Sequence, residues 1–399
     1  MLELEVAVRQ ILAALPAPVD ETVALSDAFE RVLAGPLTSA VDLPPFTNSA
    51  MDGYAVRAAD VTTATSAAPV SLRLRGRIAA GESGDLEISP GECVRLFTGS
   101  PLPRGADAVV MQEDTRLEAA QRVLVSDALE PGENVRRRGT DVRRGDLLAE
   151  AGEVLNSGKV SLLAATGVES VSVGRRPRVA LLATGSELRE AGQPLAAGQI
   201  YESNRLTLAA LVRRAGGLPK VMPLVPDDPE ATRSALQSAF AECDIALTSG
   251  GVSVGEMDFV KAAFEELGGQ LQFWKVAIRP GKPFVFGRWH DKFLFGLPGN
   301  PVSAFVTFLL LARPALRRWQ GAKELALPSI PGVLAESLAN PGDRRHFMRV
   351  RVDAAGKVFS AGAQASHALR SLAAANGLVE VPPHSTLAAG TTVTVRHWD

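Results

Sequence analysis

The apolar positions of the chain follow three rhythms. In MLELEVAVRQILAAL they sit at helical spacing, and residues 1–44 read as helical, closing on the extended VDLPPF. From about 46 to 139 the spacing shortens to period two, as in Val70, Leu72 and Leu74. There VSLRLRGRI, GECVRLF, GADAVVMQED and QRVLVSD predict half-buried strands between glycine and proline turns. Residues 140–174 predict one helix over 157–166 and a short alternating strand, VESVSV. From Arg178 onward, continuous apolar runs alternate with helical patterns. RVALLAT and the strands over 220–225, 244–248 and 271–276 are interleaved with helices over 204–215, 229–240 and 258–267, the first closed by Gly216 and Gly217. PFVFG and KFLFG then lead into a long helix from Pro301, and after about 322 short strands return in RRHFMRVRVD, NGLVEVP and TTVTVRHW.

Strands that are apolar throughout are buried on both faces, which predicts a parallel sheet with helices on either side. A chain of 399 residues also exceeds one core. The expected fold class is therefore α/β plus β in several domains. A helical N-terminal domain takes 1–45 and 140–175, and a strand-rich domain over 46–139 is inserted into it. A central doubly wound α/β domain takes 176–321, and a small C-terminal β domain takes 322–399.

Composition narrows the function classes. Lys and Arg number 42 against 44 Asp and Glu, for a net charge of −2, which lacks the basic excess of a non-specific nucleic-acid binder. Two cysteines without a CxxC pair exclude a disulfide scaffold and predict buried small hydrophobes. Glu3 and Glu5 stand where a signal peptide carries basic residues, and the most apolar stretch, 304–312, is too short to span a bilayer. A cytoplasmic protein without membrane or nucleic-acid partners is expected.

Parallel sheets bind ligands beyond the carboxyl ends of their strands, and here those ends are polar. TGSEL brings Thr184, Gly185, Ser186 and Glu187. PDDP brings Asp227 and Asp228. Capping of the next helix accounts for Asp228, which precedes Pro229, but not for Asp227. TSGGVSVGEMD, with Ser249, Gly250, Gly251 and Ser253, leaves backbone N–H groups open to an anion, and Asp258 suits a cation or a sugar hydroxyl. Lys275, Arg279 and Lys282 gather around IRPGKP as an anion site. In LPGNP, Asn300 and Pro301 satisfy helix-start chemistry without a ligand. Carboxylates, cations and free amides together suit a phosphate-bearing ligand with a hard cation such as Mg2+. The five histidines are scattered without metal-ligand spacing, and no Ser-His-Asp order is present. In the N-terminal half, NSAMDGYAVR turns at Asp52, and FTGSPLPRGADAVVMQED turns at Thr98. ENVRRRGTDVRRGD sets five arginines around Asp141, either as a solvated face or as an ion network centred there.

Seven segments in this order, PFTNSAMDGYAVR, RLFTGSPLPRGADAVVMQE, NVRRRGTDV, ATGSEL, TSGGVSVGEMD, FWKVAIRPGKP and GLPGNPVSAF, resemble the MoeA family of molybdopterin molybdotransferases. The resemblance implies insertion of molybdate into adenylylated molybdopterin with release of AMP, dependent on Mg2+. It also implies an elongated homodimer whose active cleft lies between the α/β domain of one subunit and the strand-rich domain of the other. A contact with the molybdopterin adenylyltransferase is expected too. Carried over by position, the functional acids fall on Asp52, Asp141, Glu187, Asp227 and Asp258, with Thr98 and Lys275 beside them. Arg279 stands where members often have lysine, keeping the charge. Thr184, Gly185, Ser249, Gly250, Gly251, Ser253 and Lys282 match cofactor-binding positions, as do Pro298, Asn300 and Pro301 in the loop beside the cleft. Asp227 and Asp258 match the cation ligands. Two rivals remain. An adenylyltransferase needs only the central third of this chain, and the intact acid set speaks against a scaffold without chemistry.

Overall fold

The computed structural model describes residues 1–252 and 259–398. The chain divides into two compact units: Met1–Gly35, Ala151–Leu155 and Val171–Asp399 form one, and Pro36–Glu150 with Asn156–Ser170 the other.

The first unit is built on a six-stranded sheet of β1 (Arg178–Ala183), β2 (Leu218–Val221), β3 (Ile245–Ser249), β4 (Gln270–Trp274), β5 (Val285–Trp289) and β6 (Lys292–Leu297), in the order β2-β1-β3-β6-β5-β4. Leu181 stands opposite Leu247, which stands opposite Phe295, and these face one layer of helices, while Ala180, Ala246 and Leu294 beside them face the other. The helix Asn204–Arg214 and the helical run after Pro301 cover one face through Leu208, Val212 and Phe308. The helices Pro229–Glu242 and Val260–Glu266 cover the other through Leu236, Phe240 and Phe264. From β1 the chain crosses to β2 on one side and then returns past β1 to β3 on the other. The direction of winding therefore reverses between β1 and β3.

The expectation of a purely parallel sheet holds only for β2, β1, β3 and β6. β5 and β4 run antiparallel at the edge. Two residues, His290 and Asp291, join β5 to β6, and a parallel crossover needs a dozen or more. The predicted long helix is interrupted as well: Pro301–Thr307 passes through a wider π turn, Phe308–Ala312, into Arg313–Trp319. Pro314 lacks an N–H and its ring crowds the carbonyl four residues back, so the ladder opens there.

Residues 1–44 are not helical throughout. Only Leu4–Ala14 is an α-helix, burying Leu4, Ala7 and Ile11 in the same core as the sheet. Pro16 and Pro18 end the pattern, and Asp20–Ala24 becomes a strand paired with Ser170–Gly174. At the other end of the chain, Arg345–Val352, Lys357–Ser360, Ser329–Leu334, Thr392–His397 and Gly377–Val381 pair in that order. The last pairs again with the first, closing a ring around Met348, Val350, Val358, Val379 and Val395.

The second unit holds another six-stranded sheet, ordered Ala108–Met111, Gly53–Val56, Glu92–Leu96, Val70–Ile78, Arg122–Val125 and Thr115–Ala119. Both cysteines are buried, and burial pushes the Cys93 thiol up to about 12. Among the described residues no helix is long and apolar enough to cross a membrane.

Gly53 marks a close approach of two strands. A Cβ there would lie 1.9 Å from the carbonyl oxygen of Val110. Gly53→Ala is expected to destabilise the second unit by on the order of 3 kcal/mol. Hydrogen exchange should quicken along Gly53–Val56 and Ala108–Met111 and stay unchanged in β1 and β3. Unaltered exchange in the second unit would contradict the contact.

Candidate functional site

A cavity of about 580 Å³ opens beyond the carboxyl ends of β1, β3 and β6. Ala183, Thr184 and Glu187 come from the end of β1, Ser249 from β3, and Gly299, Asn300 and Pro301 from the loop after β6. Ile200 to Asn204 close one side, and His367 and Leu369 reach in from the C-terminal segment. The opening lies where the winding reverses, which is where open α/β sheets leave a crevice for a ligand.

Asn204 ties the walls together. Its Nδ2 donates to Ser249 Oγ at 2.6 Å and to the Gly299 carbonyl at 2.7 Å, and Ser249 Oγ in turn donates to the Pro298 carbonyl at 3.5 Å. Gly250 and Gly251 both take left-handed φ values, 94° and 68°, and a Cβ on Gly250 would lie 2.8 Å from the Thr184 carbonyl oxygen. The turn after β3 therefore requires glycine. Thr184 Oγ1 and Thr248 Oγ1 are buried without a hydrogen-bond partner among the described residues. A buried orphan hydroxyl costs about 1–3 kcal/mol, so two at the neighbouring ends of β1 and β3 point to a site retained for function.

The predicted acids separate in role. Asp228 caps the helix Pro229–Glu242, its Oδ1 accepting from the Ala231 N–H at 2.7 Å, as expected. Asp227 clasps Ser186: its Oδ2 accepts from the Ser186 N–H, and its own N–H donates to Ser186 Oγ, both at 3.0 Å. This holds Asp227 against the loop that carries Gly185 and Glu187, while Glu187 itself is exposed at the cavity. Asp258 and Ser253 lie outside the described residues.

The predicted cations lie on the connection between β4 and β5, where the Val276 N–H donates to the Lys282 carbonyl at 3.1 Å. The Lys275 ammonium sits 3.6 Å from the Trp274 ring centroid at the end of β4. Arg279 belongs to a two-residue strand, Ile278–Arg279, that pairs with Arg345 and His346 of the C-terminal sheet, and Lys282 is exposed. Backbone pairing ties Arg279 to the C-terminal ring. Asn300 departs from expectation. It occupies the helix-start position, yet its side chain makes no capping hydrogen bond and is exposed at the cavity beside Pro301.

In the second unit, Asp52 Oδ1 accepts from both the N–H and the hydroxyl of Thr98, each at 2.7 Å. The backbone bond first, then the hydroxyl and the nearby Arg95 charge, hold its carboxyl below the usual carboxylate range. The ion network expected around Asp141 is centred on Asp42 instead. Asp42 accepts from Arg138 Nε at 2.6 Å and from the Arg144 N–H at 2.9 Å. Asp141 is exposed, and its backbone N–H donates to the Leu43 carbonyl. The hairpin-like return of the chain brings residue 42, not 141, between the two arginine groups.

Three family models match successive stretches of the chain. The MoeA N-terminal region (domain I and II) matches residues 2–167, a probable molybdopterin binding domain 180–318, and the MoeA C-terminal region (domain IV) 331–398. The molybdopterin molybdenumtransferase of Haemophilus influenzae is 37% identical over 402 residues, 99% of this chain and 98% of that protein. Molybdopterin molybdenumtransferase 2 of Mycobacterium tuberculosis is 41% identical over 385 residues, 95% of this chain and 94% of its own. The chain belongs to the MoeA family. The crystal structure of the molybdopterin biosynthesis moeA protein from Pyrococcus horikoshii OT3 agrees, with a TM-score of 0.84 at 30% identity and 100% of both chains covered. The protein is thus an enzyme, a transferase of molybdenum cofactor biosynthesis.

Within this MoeA chain, several site features escaped the sequence. Asn204 reads as an ordinary helix start, and His367 as one of five scattered histidines. Glu202, which lines the cavity, spends both carboxylate oxygens on Arg205, accepting from its N–H at 2.9 Å and its Nε at 2.8 Å; Glu190 holds the same guanidinium. Two buried groups of the C-terminal ring, His346 and Arg349, keep polar atoms without partners among the described residues. Burial first, then the charges of Arg279, Arg349 and Arg344, push the His346 imidazole down to about 4.

Replacing Asn204 by Ala is expected to cost about 1–2 kcal/mol of stability and to raise KM with little change in kcat, as read by melting and steady-state kinetics. An unchanged KM would contradict its role at the cavity. His346 makes stability depend on pH. The unfolded chain takes up a proton near 6.5 that the folded chain takes up only near 4, so stability falls as pH drops from 6.5 to 4. His346→Gln should remove on the order of 3 kcal/mol of that fall. Urea denaturation at pH 7.5 and 4.5 measures it, and equal slopes in both proteins would contradict the assignment.

Proposed function

We propose that the chain inserts molybdate into adenylylated molybdopterin, releasing AMP and yielding the molybdenum cofactor in a Mg2+-dependent reaction. The observation that carries this reading is the cavity at the reversal between β1 and β3, where Thr184, Ser249 and Asn300 converge. Its size, about 580 Å³, suits a ligand larger than a simple anion. Molybdopterin-directed relatives over nearly the full chain supply the substrate class.

Molybdate is a dianion, and the pterin and adenylate phosphates are anionic as well. Two unit charges ~4 Å apart repel by about 4 kcal/mol at an effective dielectric of ~20, so their approach needs cations from the protein. Lys275, Arg279 and Lys282 serve that purpose. Arg279 also offers a planar fork matched to an oxyanion. The glycine turn after β3 and the hydroxyls of Thr184 and Ser249 hold the pterin nucleotide. Pro298, Asn300 and Pro301 form the opposite wall, and Gly185 with Gly251 allows the backbone to approach it.

The donor set fits Mg2+. This hard cation takes oxygen ligands and is commonly held by one or two carboxylates together with substrate phosphates. Among the described residues no three acidic, histidine or cysteine side chains gather to make a closed metal cage. Asp227 offers its Oδ1, since Oδ2 accepts from Ser186. Asp258 is its partner by family position. When bound, the cation neutralises charge on the adenylate phosphates. Asp227 and Glu187 keep that side of the cavity acidic, a charge that a bound cation would offset. Asp52, Thr98 and Asp141 act in the same reaction, with Thr98 holding the Asp52 carboxylate ionised. The working form is a homodimer in the cytoplasm that receives its substrate from the molybdopterin adenylyltransferase.

The purified protein given adenylylated molybdopterin, molybdate and Mg2+ is expected to release AMP, to stop on chelation, and to leave ATP unconsumed. ATP consumption with molybdopterin would favour the adenylyltransferase reading instead. Asp227→Asn keeps an acceptor for Ser186 but removes the charge. It should lower AMP release by about 10²-fold with an unchanged melting temperature, and Asp258→Ala should abolish it. Normal release by either variant would overturn its role.

A further inference from the structure

The end of β4 carries contacts that the proposed chemistry leaves unexplained. The ammonium nitrogens of Lys275 and Lys261 each lie 3.6 Å from the centroid of the Trp274 ring. Lys275 follows Trp274 directly, while Lys261 comes from the helix Val260–Glu266. Two cations so close to one ring are at most about 7 Å apart, and the ring's negative face offsets part of their repulsion. The indole N–H is used as well, donating to the Val252 carbonyl at 3.1 Å. Val252 directly follows the Gly250–Gly251 turn after β3, whose last residue, Ser249, lines the cavity.

Lys275 is also held in an unusual backbone conformation. Its φ is 80°, a region that a lysine enters only when its surroundings fix it. Here its N–H donates to the Phe284 carbonyl at 3.0 Å, and its carbonyl accepts from the Leu2 N–H at 3.1 Å. The backbone is pinned on both sides, and the ring at Trp274 receives the side chain. Lys275 lies one residue past the β4–β5 pairing, in which Trp274 stands opposite Val285.

We propose that Trp274 is a positioning residue for substrate capture. Its ring sets Lys261 and Lys275 as a paired cation for the phosphate groups of the substrate, and its N–H fixes that pair to the turn at the end of β3. Lys261 thereby joins the substrate-binding residues. The inference rests on the reading of Lys275 as a cation that meets substrate.

The test is a double-mutant cycle on kcat/KM for adenylylated molybdopterin. Trp274→Leu removes both the ring and the N–H, and is expected to lower kcat/KM about tenfold. Trp274→Phe keeps a weaker face, so it should lose about threefold, and it serves as the folding-safe variant. Lys261→Ala should lower kcat/KM by a similar factor, mainly through KM. In a background carrying both Lys261→Ala and Lys275→Ala, Trp274→Leu should cost less than twofold more, because its effect passes through the two lysines. Equal losses from Trp274→Leu in both backgrounds would show a merely structural ring and overturn the proposal. If Lys275→Ala alone keeps normal kcat/KM, the reading of Lys275 falls instead.

Discussion

The three central parallel strands β1, β3 and β6 are buried along almost their whole length, and no water-facing side exists on which they can rest. Helices must therefore cover both faces, and the chain can do this only by leaving β1 on one side and returning on the other. That reversal parts the loops after β1 and β3 and leaves a crevice between them. The cavity of Thr184, Ser249 and Asn300 follows from the burial of Leu181, Leu247 and Phe295 just below it. The core and the site are two consequences of one constraint.

The polar groups at this rim are held by backbone and side-chain bonds rather than by packing. Asn204 fastens Ser249 to the loop after β6, Asp227 fastens the loop after β1, and Trp274 fastens the turn after β3. Each fastening joins one strand end to another element, so the loops keep a fixed spacing without a hydrophobic core of their own. Glu202 shows the complementary case. It lines the cavity, yet Arg205 takes both its oxygens, which makes it a brace rather than a free acid. The Asp52–Thr98 pair in the second unit follows the same logic, with a half-buried carboxylate kept ionised by two hydrogen bonds.

Much of this was legible in the residues. The parallel strands announced themselves as unbroken apolar runs, Gly216 as a helix terminator at φ 84°, and Asp228-Pro229 as a helix start. Seven motifs in order named the family. What escaped depends on distance along the chain. A two-residue link between β5 and β6 reverses the sheet, but only counting the link, rather than reading the strands, reveals it. Asp42 lies about a hundred residues from the arginines it gathers, so the nearer Asp141 drew the network on paper. His367 enters the cavity because the C-terminal segment packs on the helix after Pro301, and no local pattern encodes that contact. The open amide of Asn300 was hidden because helix-start chemistry accounted for the residue without a ligand.

The most direct measurement is a crystal of the protein grown with adenylylated molybdopterin and Mg2+. The pterin nucleotide is expected in the crevice between the ends of β1 and β3, within hydrogen-bond reach of Thr184, Ser249 or Asn300. A fully ordered ligand bound elsewhere, with that crevice holding only solvent, would contradict the account.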